Sequence, residues 1–267
     1  MTFDPTDAMT RHPTAWDAEP AGARNAPVAA PRAPRPADAH EPDALLAGVR
    51  HAIGAGDLDQ ARRSLAMLVD RTDGYRHWLT GAQLAARIAG RGSGRTAKVA
   101  VLGSYTISPQ PQFLQLAGLR FGLDLDVYEA PYGQYRQEIL DVDSQQHRFA
   151  PDAVIIAVHA GDLSLPWHTG DPSGAVAAEL ARWTGLWRCL RERDRALILQ
   201  HNLVTPAERP LGHLSTRLPG SRPRLIQALN ERLADAAGPG VVILDCEWLS
   251  GLIGKRVWCD DGQWHIA

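Results

Sequence analysis

The sequence predicts an α/β protein: a three-layer, doubly wound parallel sheet of about five strands, with a small helical preface on its N-terminal side. Three observations carry that expectation. Short apolar runs rich in β-branched residues recur from Lys98 onward, as strands covered on both faces do. Stretches with apolar residues at three-to-four spacing alternate with those runs, which is the βα rhythm of a parallel sheet. Each run also delivers polar residues at its far end, where an open α/β sheet builds its cleft.

Residues 1–42 are dominated by Ala, Pro and small polar residues, as in Ala26-Pro27-Val28-Ala29-Ala30-Pro31. Such a segment has too little apolar side chain to offset its ordering entropy, and its prolines oppose a helix; a disordered tail or linker is expected. From Asp43 the pattern turns helical. Leu45, Leu46, Val49 and Ile53 form one stripe, and Gly54-Ala55-Gly56 breaks it. Asp57 caps a second helix carrying Leu58, Ala61, Leu65 and Leu68, and a third spans about Tyr75 to Ile88. Gly90 to Gly94 reads as a hinge, so residues 43–94 form the preface and residues 95–267 the α/β domain.

That domain opens on Val99-Ala100-Val101-Leu102-Gly103, a buried strand running into a Ser104-Tyr105-Thr106 turn. A helix carrying Phe113, Leu116 and Phe121 follows, then a strand from Leu123 to Tyr128 and a helix from Tyr132 to Leu140. Asp152 to Val158 is the third strand. The long helix after it, from about Ala175 to Arg193, places Trp183 and Trp187 at core spacing. Ala196 to Leu199, a helix from Leu225 to Ala237, and Gly240 to Leu244 complete the set. Five strands so interleaved point to a flavodoxin-like order.

Composition excludes several classes. A net charge of −2 gives no broad attraction to nucleic acid or anionic lipid. No apolar run is long enough to span a membrane, and the first residues lack the basic-then-apolar pattern of a signal peptide. Cys189, Cys246 and Cys259 show no C-x-x-C spacing and are expected to be reduced thiols of a cytoplasmic protein. His77, His147 and His168 lack metal-ligand spacing; they are expected at the surface or in packing, and no metal site is expected.

The strand ends supply Ser104, Tyr105 and Thr106, then His159, Gly161 and Asp162, then His201 and Asn202, then Asp245 and Glu247. The last residues add Asp260, Asp261 and His265. Loops are wet, and that alone accounts for several of these. It accounts less well for a hydroxyl, an amide and a late histidine arriving together.

Val99 to Thr106, the run Tyr128-Glu129-Ala130-Pro131-Tyr132-Gly133-Gln134-Tyr135-Arg136-Gln137-Glu138-Ile139-Leu140-Asp141, Gln200 to Pro206 and Trp258 to His265 carry a likeness. From Asp43 to its end, the chain resembles the N-terminal domain of the FkbH-like family of polyketide pathways. The resemblance implies an SGNH-hydrolase-like domain that works beside a haloacid-dehalogenase-like phosphatase and loads a glyceryl unit onto an acyl carrier protein. Two departures stand out. The phosphatase half is missing: Leu244-Asp245-Cys246-Glu247-Trp248 lacks the hydroxyl of an Asp-x-Asp-x-Thr turn. The SGNH pattern is also eroded, since Gly103-Ser104 lacks the usual Asp and Gly161 stands where an amide is expected. His265 follows Asp261 one residue too late for the family's spacing.

Acyl transfer needs an activated hydroxyl, a base, a group that orients the base and donors for the oxyanion. Ser104 is the expected nucleophile with Thr106 in reserve, and His265 the base, oriented by Asp261 or Asp260. Asn202 and the backbone N–H groups of Ser104 and Gly133 are the expected oxyanion donors. The function implied is an SGNH-type acyl transferase, esterase or thioesterase acting on a carrier-protein intermediate. No cofactor is expected to bind directly; the phosphopantetheine arm of the carrier brings the substrate, and Arg209 or Arg217 meets its phosphate. The expected partners are an acyl carrier protein and a separate phosphatase of the haloacid-dehalogenase type. The competing expectation is a silent SGNH-like module that docks a carrier or phosphatase partner.

Overall fold

Five parallel strands form one sheet in the order β2-β1-β3-β4-β5, in a computed structural model that describes residues 41–91 and 94–258. The strands are β1 (Arg95–Gly103), β2 (Leu123–Glu129), β3 (Ala153–Ala157), β4 (Leu197–His201) and β5 (Val241–Leu244). The flavodoxin-like order expected from the alternation is therefore present. Register aligns Gly103 with Ala157 and Ile156 with Gln200, so β1, β3 and β4 end at nearly one level.

Alternation along the strands builds two cores. Val99, Val101, Ala153, Ile155 and Ala157 face one side, with Ile107 and Leu114 of the segment leading into and through α4 (Gln110–Arg120). Ala100, Leu102, Val154, Ile156 and Ile198 face the other, against α5 (Tyr135–Leu140), α7 (Pro172–Arg193) and α8 (Arg222–Ala236). Trp183 and Trp187 of α7 are both buried in that second core, as their spacing predicts. Gln200 is fully buried among them, its oxygen accepting from Trp187 Nε1 at 3.0 Å and its amide donating to the His201 carbonyl.

The preface is three helices, α1 (Glu41–Ala55), α2 (Leu58–Arg71) and α3 (Tyr75–Ala86), whose apolar stripes close on Leu116 of α4. Asp57 caps α2 as expected, accepting from Gln60 N. Arg62 on α2 reaches Asp124 of β2 at 2.7 Å, and both side chains are largely buried. That pair ties the preface to the sheet.

Several element boundaries differ from the sequence expectation, each for a local reason. Helix α1 begins at Glu41 rather than Asp43, because Pro42 is tolerated in a first turn where its missing N–H has no partner to lose. Helix α5 begins at Tyr135, after a turn in which Gly133 takes φ +68. Three short helices escape periodicity altogether: α6 (Gln145–Phe149), α9 (Cys246–Ile253) and α10 (Lys255–Trp258). The first two are set by side-chain caps, Ser144 on His147 N and Asp245 on Trp248 N. His147 is indeed a packing residue, buried and paired with Asp194 at 2.8 Å. Among the described residues no helix is long and apolar enough to cross a membrane.

Candidate functional site

A cleft of about 680 Å³ lies beyond the carboxyl ends of β1, β3, β4 and β5. Tyr105 and Gln110 line it from the β1–α4 side, His159 from the end of β3, and His201 and Asn202 from the end of β4. Its apolar cover is Trp248 and Leu249 of α9 with Trp258 of α10. The chain leaves β1 toward β2 on one side and β3 on the other, so β1/β3 is the topological switch point of the sheet.

Ser104 stands at that switch. Its N–H donates to the Ala157 carbonyl at 3.0 Å, and its Oγ accepts from the His159 N–H at 2.9 Å. The hydroxyl thus bridges the ends of β1 and β3, and its own proton still has to find an acceptor. Gly103 before it is required by close packing, since a Cβ there would lie 2.6 Å from Ile107 Cγ2. Ser104 is half-buried and adjoins the cleft through Tyr105, its neighbour on the wall. Thr106 is exposed and off the wall. Gly133 lies in the β2–α5 turn, away from the cleft lining. Arg209 and Arg217 are exposed on the β4–α8 loop and also off the wall. Asp260, Asp261 and His265 lie outside the described residues.

Asn202 is on the wall, but its carboxamide has work elsewhere. Nδ2 donates to Asp245 Oδ1 at 2.8 Å, and Oδ1 accepts from the Glu247 N–H at 2.9 Å. Glu247 in turn receives Lys255 Nζ and the Thr205 N–H. This chain of bonds holds the turn from β5 into α9 and so keeps the aromatic cover over the cleft.

Two further groups behave differently from their ordinary chemistry. Burial, with Asp245 beside it, pushes the Cys246 thiol up to about 11, which leaves it protonated and poor as a nucleophile near neutrality. His201 is pushed down to about 4 by loss of water around its ring. A pH effect on folding follows. The unfolded state takes up this proton near pH 6.5 and the folded state only near 4, so stability is complete above about 6.5 and falls as pH drops toward 4. The component amounts to about 3 kcal/mol. Urea unfolding at pH 7 and pH 4.5 should show it in the wild type and lack it in His201→Gln; equal acid losses in both would assign the effect to other groups.

A polar group beneath the β3–α7 loop braces the wall from behind. Tyr135 donates to Asp162 Oδ2 at 2.5 Å and accepts from Arg136 Nε at 2.9 Å. Burial and the Asp162 carboxylate hold the Tyr135 phenol well above its usual range. Arg222 of α8 donates to the carbonyls of Ala160 and Leu165, pinning the same loop.

Sequence reasoning noticed His201 as a strand-end residue but assigned it no role, and it missed the cover from α9 and α10. The available signal was the Asp245 cap followed by Trp248, Leu249, Leu252 and Ile253, four apolar residues too close to the chain's last strand to register as a separate helix.

No family model and no curated protein sequence matches the chain. A solved structure that resembles it is the N-terminal part of the protein BF1531 from Bacteroides fragilis, which contains a phosphatase domain and is complexed with Mg. The likeness has a TM-score of 0.53 at 20% identity and covers 65% of this chain and 47% of that one. The chain thus spans about half of that solved structure's length, and the likeness speaks for the shared α/β fold. Among the described residues no group of three or more His, Cys, Asp or Glu side chains is placed to hold a metal ion.

Proposed function

We propose that the chain is an SGNH-type acyl transferase or thioesterase acting on an acyl group delivered by the phosphopantetheine arm of an acyl carrier protein, in polyketide or related secondary metabolism. The observation that carries the reading is the cleft over the β1/β3 switch, where the Ser104 turn, two histidines and an apolar cover converge. In the reaction, Ser104 Oγ bonds to the thioester carbonyl carbon and the carbon–sulfur bond breaks. The hydroxyl proton passes to the imidazole of His265, held by Asp261, and from there to the departing thiolate. Water or an acceptor hydroxyl then attacks the acyl ester and returns the proton to Ser104. A cytoplasmic setting, and a separate phosphatase of the haloacid-dehalogenase type as a second partner, go with this reading.

The test is release of thiol from acetyl-pantetheine, together with labelling by a fluorophosphonate probe. Thiol release with labelling supports the reading; a folded protein that gives neither overturns it. A second reading, a silent docking module, draws on the engagement of the Asn202 carboxamide with Asp245 and Glu247 and on the exposed strip of Trp248, Leu252, Ile253 and Val257 beside the cleft. Tight binding of a carrier protein with no labelling would select it.

A further inference from the structure

His201 closes β4 with its side chain on the cleft wall, between the ends of β3 and β5. Its backbone carbonyl accepts from Gln200, yet among the described residues neither ring nitrogen has a hydrogen-bond partner. Neither ring nitrogen is sealed off, so both can reach polar atoms of a ligand in the cleft. The neighbouring wall residue, Asn202, spends one N–H of its amide on Asp245 and its oxygen on the Glu247 N–H, which ties it to the β5–α9 turn and leaves its other N–H.

We propose that His201 grips the acyl carbonyl of the ligand, one ring N–H donating to the carbonyl oxygen and serving as an oxyanion donor. The proposal rests on the acyl-transfer reading of the same cleft. As the carbonyl carbon is attacked, negative charge gathers on its oxygen, and a donor placed beside it in a largely apolar wall stabilises that charge. The ring stays uncharged there because it is stripped of water. An uncharged imidazole keeps one nitrogen as donor and the other as acceptor, so the second nitrogen can take an amide N–H of the arm. The same property suits it poorly to the role of base, which needs affinity for a proton near the working pH. The titratable groups sharing the cleft with it are Tyr105, His159, Asp245 and Cys246.

Acetyl-pantetheine turnover by the wild type, His201→Gln and His201→Ala separates the possibilities. Glutamine also offers an N–H, so His201→Gln should hold kcat within about tenfold, whereas His201→Ala should lose about 10²–10³-fold in kcat with KM little changed. Equal loss in both variants means a base and overturns the donor role; full activity in His201→Ala means packing and overturns it too. A second measurement does not depend on turnover: the ¹⁵N signals of the His201 ring in Ser104→Ala protein, recorded with saturating acetyl-pantetheine, should shift. If those signals move while the wild type releases no thiol, the acyl-transfer reading fails and the contact stands. If thiol is released and the signals do not move, the His201 contact alone is overturned.

Discussion

Replacing Ser104 with alanine is expected to lower thioester turnover by at least about 10³-fold while leaving ligand binding in place. The size follows from the part assigned to the hydroxyl: without it no acyl–oxygen bond forms, and only the donors and the apolar cover remain to assist water. Binding should survive because the residues that line the cleft, Tyr105, His201 and the Trp248 cover among them, are left in place. The substitution also strips the His159 N–H of its acceptor, which costs about 1 kcal/mol of stability. Urea denaturation therefore has to accompany the kinetics, and Ser104→Cys, which keeps a nucleophile at the same turn, serves as the conservative partner. A loss of turnover below tenfold in a folded Ser104→Ala protein would place the chemistry elsewhere.

The largest expected effect on folding belongs to Trp183→Ala, about 4 kcal/mol. Trp183 is 1% exposed and sits in the core between α7 and the sheet. Its ring stacks on Tyr135 of α5, with centroids 6.2 Å apart and planes 9° from parallel. Its Nε1 donates to Glu179 Oε1 at 3.1 Å, and Glu179 is itself buried, its carboxyl raised by loss of water. Alanine would leave a cavity and take a partner from that carboxylate at once. Phenylalanine keeps most of the contact area but not the donor, so Trp183→Phe should cost roughly half as much. Since Tyr135 holds Asp162 at the head of the β3–α7 loop, the alanine variant should also loosen the wall carrying His159. Unfolding midpoints in urea check the energies; a loss under about 1.5 kcal/mol would mean the site collapses without a cavity.

The strands and long helices were legible because their signals are local. Val154, Ile155 and Ile156 are β-branched neighbours in a run bounded by polar residues, and Leu180, Trp183, Leu186, Trp187 and Leu190 repeat at helical spacing. Helices α9 and α10 were not legible: eight and four residues are too few to establish a period, and their boundaries depend on one cap and one glycine. The site was legible only as a set of strand ends. Ser104, His201 and Asn202 do gather at one rim, because register brings β1, β3 and β4 to the same level.

By itself, then, the order of apolar and polar residues determined a doubly wound sheet with a three-helix preface, and the end of it where polar groups collect. Only the tertiary structure decided what each of those groups is free to do. Asn202 is occupied by Asp245 and Glu247, more than forty positions away, and His201 loses its water to walls drawn from β3, β5 and α9. Hydrogen-bond pairing and desolvation are set by neighbours in space, and a linear pattern carries neither.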